Sequence, residues 1–170
     1  ASVISHYYGH DSIPLGAYKG NFGRVRDDFP EEGLHHYEPK IPGHWLTGDY
    51  VPTLVKNWPS PVKNRDQVDD AVVVYRRALT AAADRSVVIA AIGFVTNLAL
   101  LLRSDPDAIS PLSGMQLVAL KVRLVVWQGG WYPARHGSET QGPGGDFNWG
   151  CGEYWYNTSH CQGEARFAID

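Results

Sequence analysis

The sequence has no basic run and no long apolar segment, and each of these absences narrows what the protein can be. Lys and Arg number 15 against 18 Asp and Glu, for a formal net charge of −3. The chain therefore lacks the positive charge that attracts nucleic acids. Its apolar runs are much shorter than the roughly 20 residues that cross a bilayer. We expect neither a nucleic-acid partner nor a membrane-spanning segment.

The chain also lacks an initiator Met and the charged and apolar regions of a signal peptide, since it starts directly at Ala1. We therefore expect a processed or incomplete polypeptide. Its 170 residues are enough for one domain or for a piece of a larger one. A hydrophobic fraction of 44% is typical of a globular protein. We predict a single domain over residues 1–170.

Cysteine is scarce, with only Cys151 and Cys161 present, and an N-glycosylation sequon begins between them at Asn157. A disulfide that closes a short loop in a secreted glycoprotein accounts for both features. Two free thiols and a chance sequon are the alternative. A zinc site would need paired cysteine spacings that this chain does not have. We predict secretion, a Cys151–Cys161 disulfide and a glycan on Asn157.

The clearest structural signal is the apolar run of residues 87–92, which is followed by Gly93. An unalternated run of this length is typical of a strand covered on both faces by helices. Gly93 is expected to supply a turn in which a side chain would crowd the backbone. Thr96 is expected to cap a helix over residues 97–103.

Other segments complete the pattern. Residues 122–127 form a second apolar run, residues 67–83 show helical periodicity, and residues 13–18 are consistent with a short strand. Strand, helix and strand in this order predict an α/β fold with a mostly parallel sheet and flanking helices. Ligands bind such sheets at the carboxyl ends of the strands.

Two segments, in this order, resemble the inosine-uridine preferring nucleoside hydrolase family. Residues 91–99 read Ala-Ile-Gly-Phe-Val-Thr-Asn-Leu-Ala, similar to the family's strand, glycine and Leu-Thr-Asn-Leu-Ala. Residues 126–130 read Val-Trp-Gln-Gly-Gly and residues 146–148 read Asp-Phe-Asn. These are similar to the family's Val-Met-Gly-Gly and Glu-Phe-Asn. The resemblance covers most of this chain but only the middle half of a family member.

The resemblance implies a nucleoside-hydrolase-like fold and hydrolysis of the N-glycosidic bond of nucleosides. In the family, calcium holds the ribose diol and the attacking water. The main-chain carbonyl of Ile92 corresponds to a calcium ligand, and hard cations accept carbonyl oxygens readily. Asp146 and Asn148 correspond to the residues that hydrogen-bond the ribose hydroxyls. Gln128 stands where the family's Met packs on the sugar.

The departures from the family concern the metal site. The Asp-rich N-terminal motif, which supplies most of the calcium charge and the general base, has no counterpart in residues 1–20. The family's C-terminal Asp and His would lie beyond Asp170. The resemblance therefore implies the floor of the pocket without its catalytic carboxylates. Calcium is expected from the family but is in doubt for this chain alone.

Two functions stay open at this point. One is part of a secreted nucleoside N-ribohydrolase, and the other is a catalytically inactive binding protein that recognises a sugar or nucleoside.

The family's first strand lies beside the strand that ends at Ile92, and unpaired strand edges are costly to bury and prone to association. We expect a missing segment, a partner chain or the strand at residues 13–18 to fill this position.

Other patterns have simpler explanations. The histidines near residues 35–44 and the acidic residues near 27–32 are predicted to be solvated, because neither has metal-ligand spacing. Residues 142–145 are glycine-rich but lack the Lys-Ser/Thr of a phosphate loop. Aromatic residues of the C-terminal third could stack on a sugar or pack together, and both alternatives stay open: Trp131, Tyr132, Trp149, Tyr154, Trp155 and Tyr156.

Overall fold

A computed structural model describes residues 1–19, 54, 56–93, 95–129 and 167–168. The first four elements are helix α1 (Ser2–Tyr7), strand β1 (Gly16–Ala17), a 3-10 turn (Arg65–Gln67) and strand β2 (Asp69–Asp70). The others are α2 (Ala71–Ala81), β3 (Val87–Ala91), α3 (Thr96–Arg103), α4 (Gly114–Lys121) and β4 (Val122–Trp127). The predicted site residues Asp146 and Asn148 lie outside the described part, as do Cys151, Asn157 and Cys161. The same holds for residues 27–32, 35–44 and 142–145 and for the six aromatic residues of the C-terminal third.

The two apolar runs form a parallel pair of strands. β3 pairs with β4, and Ala91 lies opposite Trp127 at the end of the ladder. The chain between them forms α3 and α4, because parallel neighbours need a crossover connection. β1 and β2 form a separate parallel pair. The described residues therefore have the predicted α/β character with parallel strands.

Three helices cover one face of the β3–β4 pair. α2, α3 and α4 contact one another pairwise, and each contributes leucines to the core. Full burial of a leucine side chain stabilises the fold by about 1.5–3 kcal/mol. The buried members of this core are Leu79, Ile89, Leu98, Leu101, Leu117 and Val122.

No described helix packs on the opposite face of the pair, and its side chains are partly exposed. Successive side chains of a strand point to opposite faces, so the register places Val88 beside Leu124 and Ala90 beside Val126 on this face. Val88, Leu124 and Val126 are 43%, 51% and 48% exposed. Among the described residues, helices therefore cover one face of the pair, and cover of this second face stays a prediction.

Two predicted helix starts differ from the structure. α2 begins at Ala71, several residues later than predicted, because Asp70 Oδ1 accepts a hydrogen bond from Val72 N at 2.8 Å and caps the helix. The expectation that Thr96 caps α3 is wrong. The N-cap is Val95, which makes no side-chain cap hydrogen bond, and Thr96 is the first helical residue.

The strand at residues 13–18 is reduced to Gly16–Ala17, and it pairs with β2 rather than with β3. The alternative in which this strand completes the β3 side of the sheet is therefore wrong. Within the described residues, β3 pairs only with β4. A missing segment or a partner chain beside β3 stays a prediction.

A buried arginine anchors the connection between α3 and α4 to α2. Arg76 is 1% exposed. Its Nε and Nη2 donate to the two carboxylate oxygens of Asp107, each at 2.9 Å. Nη1 donates to Ser104 Oγ at 2.9 Å, and Nη2 also donates to the carbonyls of Ser110 and Leu112 at 3.1 and 2.9 Å. The guanidinium charge is thus paired where it is buried, as a stable fold requires.

Candidate functional site

The carboxyl ends of β3 and β4 lie side by side. Gln128 N donates to the carbonyl oxygen of Ala91 at 2.9 Å, which extends the ladder one residue past the Ala91–Trp127 pair. Ile92 and Gln128 are therefore neighbours at this edge. Of the site residues predicted from the sequence, these are the two that the structure describes, and it brings them together.

Both residues of the edge are accessible. Ile92 is 72% exposed and Gln128 is also exposed. Gly93 follows directly, and a Cβ added there would meet nothing within 4 Å. Its φ also lies outside the left-handed range. The expectation that a side chain at Gly93 would crowd the backbone is therefore wrong.

The sequence did not predict an unpaired polar group in the first turn of α3. The side-chain oxygen Oδ1 of Asn97, in the first turn of α3, is buried and has no hydrogen-bond partner in the described part of the chain. A buried acceptor without a partner costs about 1–3 kcal/mol, and such groups often mark functional sites. The sequence feature that could have indicated this group is the pair Thr96-Asn97, which follows the turn at Gly93.

The described residues do not fit a calcium ion. Calcium takes roughly six to eight oxygen ligands, usually with several carboxylates among them. This edge offers the carbonyl of Ile92 and the side-chain amide of Gln128, which are both neutral. No group of three or more His, Cys, Asp or Glu side chains in the described ranges is arranged to hold a metal ion.

The other predicted site residues, Asp146 and Asn148, lie outside the described residues, so their position relative to Ile92 and Gln128 stays a prediction. The same holds for the Cys151–Cys161 disulfide and the glycan on Asn157. Among the helices that the structure describes, none is long and apolar enough to cross a membrane.

No family model matches this sequence, and neither a curated protein nor a solved structure matches it. The resemblance to nucleoside hydrolases therefore rests on the two motifs and on their order along the chain.

Proposed function

We propose that this chain is part of a secreted nucleoside N-ribohydrolase, and that the carboxyl edge of β3 and β4 is the floor of its nucleoside pocket. The observation that supports this most directly is the adjacency of Ile92 and Gln128 at that edge. The two motifs that carry the family resemblance would have to meet at one place for both to touch a nucleoside. Parallel pairing of β3 and β4 is the arrangement in which they do.

The proposal gives each residue a role that its chemistry allows. The carbonyl of Ile92 is a hydrogen-bond acceptor at the pocket floor. Gln128 can donate to and accept from a ribose hydroxyl, where a Met would offer only apolar packing. Asp146 accepts hydrogen bonds from the ribose hydroxyls, and Asn148 both donates and accepts. These four residues bind and orient the sugar.

The family resemblance assigns the role of general base to none of these four residues. A base needs a titratable group within hydrogen-bond reach of the proton that it removes. In the family, carboxylates of the Asp-rich N-terminal motif serve as the base and bind the calcium that holds the water. To hydrolyse a nucleoside, this chain would need such carboxylates from another segment or from a partner chain.

Catalysis is therefore expected to be absent from the isolated chain. We expect no release of ribose from inosine or uridine, with or without added calcium, in a reducing-sugar assay. Steady, calcium-dependent release by the purified chain would contradict this expectation, because it would show that the residues present supply the base.

Binding can be tested separately from catalysis. We expect the isolated chain to bind inosine or uridine in calorimetric titration. Gln128→Ala should weaken this binding about two- to tenfold, since one net hydrogen bond contributes about 0.5–1.5 kcal/mol. Arg123→Ala, an exposed position near the opposite end of β4, is the matched control and should leave affinity unchanged. If Gln128→Ala binds as tightly as the wild type, the strand edge is not the pocket.

The second candidate is a binding protein of the same ancestry with no chemistry of its own. The neutral character of Ile92 and Gln128 at the strand edge favours it. Intact-mass measurement and N-terminal sequencing of the natural polypeptide distinguish the two. A longer chain with an Asp-rich N-terminus supports the enzyme. A natural polypeptide mass of 18.8 kDa after glycosidase treatment, equal to that of this chain, supports the binding protein.

A further inference from the structure

A separate cavity of about 680 Å³ lies between α1, residues 11–15, residues 61–69 and α2. This volume falls within the range of small-molecule sites, about 300–1,000 Å³. Neither Ile92 nor Gln128 lines it. The cavity is therefore distinct from the edge of β3 and β4, and its occupant does not depend on the proposed function.

α2 separates this cavity from the core. Val74, Arg77 and Ala78 line the cavity, and residues three and four apart share one stripe of a helix. Leu79 and Tyr75 pack into the core. The helix therefore uses one stripe for the core and another for the cavity.

The cavity wall combines apolar surface with hydrogen-bonding groups. Ile13, Leu15, Val62, Val68 and Val74 supply apolar surface. The polar groups include serine hydroxyls, carboxylates and one guanidinium, from Ser5, Ser12, Asp11, Asp66, Asp69 and Arg77.

The three carboxylates already have nitrogen partners. Arg77 Nη1 donates to Asp69 Oδ2, His6 Nδ1 lies 2.8 Å from Asp11 Oδ2, and Arg65 Nε lies 3.9 Å from Asp66 Oδ1. A carboxylate offers about four lone-pair positions, so each can accept further hydrogen bonds beside its partner. The two guanidiniums of Arg65 and Arg77 offset part of the charge of the three carboxylates and leave a small net negative charge. The cavity thus presents acceptors without a strong demand for a cationic ligand.

An anionic ligand is disfavoured for a different reason. Three carboxylates and a single guanidinium line the wall, so a further negative charge would meet net repulsion. What suits this lining is a neutral molecule that carries many donors and also has carbon–hydrogen surface.

We propose that this cavity binds a small neutral polyol of the size of a monosaccharide. Its hydroxyls donate to Asp11, Asp66 and Asp69 and accept from Arg77 and the serine hydroxyls. Hydrogen bonds to charged groups are stronger than neutral ones. The C–H faces of the ligand pack on the apolar surface of the wall.

Calorimetric titration of the full chain with D-glucose and with myo-inositol tests the proposal. We expect saturable binding of at least one of them. Ala78→Phe places a ring in the cavity and should weaken that binding at least about tenfold. Ala81→Phe is the matched control, because Ala81 is exposed on the same helix and does not line the cavity. It should change affinity less than about twofold.

A second variant keeps the test independent of how well Ala78→Phe folds. Asp11→Asn preserves size but replaces an acceptor oxygen with an NH2 donor, and it should weaken binding of the same probe about threefold or more. Circular dichroism verifies that each variant is folded. Absence of saturable binding by both probes, or binding that neither Ala78→Phe nor Asp11→Asn weakens, overturns the proposal.

Charged analogues test the class of ligand. Glucosamine should bind within about threefold of glucose, and glucuronate should bind at least about tenfold more weakly. Binding of glucosamine or glucuronate about tenfold tighter than glucose would show that net charge selects the ligand, and a neutral polyol would then be the wrong class.

Discussion

At the scale of single residues, Arg76 is expected to matter for stability, because its side chain is buried and donates hydrogen bonds to four residues. The Arg76 side of the pair is buried, whereas Asp107 is 38% exposed. The cost of removing Arg76 therefore comes mainly from the buried acceptors that lose their donor, about 1–3 kcal/mol for each one left unpaired. Ser104, Ser110 and Leu112 would lose hydrogen bonds along with Asp107. The connection between α3 and α4 would then lose its attachment to α2.

We predict that Arg76→Met lowers the free energy of unfolding by about 2–4 kcal/mol in urea denaturation, because buried acceptors lose their donor. Arg77→Met is the control, because Arg77 is the next residue and forms an exposed ion pair with Asp69. Exposed pairs contribute about 0–1 kcal/mol, so this variant should remain close to the wild type. Equal losses in the two variants would contradict the role assigned to Arg76.

The same contact predicts a dependence of stability on pH. Hydrogen bonds from the Arg76 guanidinium hold the pKa of Asp107 below its usual value. The folded state therefore binds this proton less readily than the unfolded state, and the contact stabilises the fold above the ordinary Asp pKa, near 3.9. This stabilisation should disappear as the pH falls through that value towards the folded pKa.

Urea denaturation at a series of acidic pH values measures this effect. Asp107→Asn cannot ionise, so it should reduce the decline in stability between about pH 5 and the lowest pH at which the chain folds. An identical decline in the variant and the wild type would show that other carboxylates account for it.

At the scale of elements, the close approach of α3 and α4 depends on a residue without a side chain. Gly114 N donates to the carbonyl of Ser104 at 2.8 Å. A Cβ at Gly114 would overlap the carbonyl oxygen of Leu101. Ser113 Oγ accepts from Gln116 N at 3.3 Å, and Ser113 N donates to Gln116 Oε1 at 2.9 Å, which completes a capping box. The start of α4 is thus defined both locally and by its contact with α3.

We predict that Gly114→Ala destabilises the protein by about 1–3 kcal/mol or more, because the end of α3 and the start of α4 must separate. Thermal unfolding followed by circular dichroism measures the loss. Gly93→Ala is the control, since a Cβ there has open space, and it should change stability by less than about 0.5 kcal/mol. A Gly114→Ala variant as stable as Gly93→Ala would show that the two helices can move apart at little cost.

At the scale of the whole molecule, the described sheet is covered on one face only. Val88, Leu124 and Val126 leave an apolar surface on the other face, and β3 has one strand partner in the described ranges. Parallel sheets usually have both faces covered. This is consistent with our expectation that a further segment or a partner chain lies beside β3.

Secretion leads to a prediction for the whole chain. We expect Cys151 and Cys161 to be joined and Asn157 to carry a glycan in protein from its natural source. A loop this short should contribute roughly 2–3 kcal/mol through chain entropy. Thiol labelling of the unreduced, denatured protein should find no free cysteine, and mass spectrometry before and after glycosidase treatment should report the glycan. Two labelled cysteines would contradict the disulfide.

Much of the α/β pattern was accessible from the sequence, because local runs determine it. Residues 87–91 and 122–127 are mostly apolar and rich in β-branched side chains, which fit the pleated surface of a strand. The intervening chain is long enough for a crossover, so parallel pairing followed. The adjacency of Ile92 and Gln128 then results from that pairing. The sequence by itself determined the strand pair and the edge at which the proposed site lies.

Only the tertiary structure decided which face of the sheet is covered, what Arg76 contacts and where the cavity lies, because these features depend on contacts between residues that are distant in sequence. A strand's apolar run does not reveal whether a helix packs on each face, so the partial exposure of Val88 and Leu124 was not predictable. The sequence around Asp107 and Ser110 is typical of a turn, and only the structure shows that both residues accept hydrogen bonds from Arg76. The cavity is lined by residues from four separate segments, and no periodicity or spacing in the sequence predicts that these segments lie together. Packing between elements is a non-local property, and local sequence patterns constrain it only weakly.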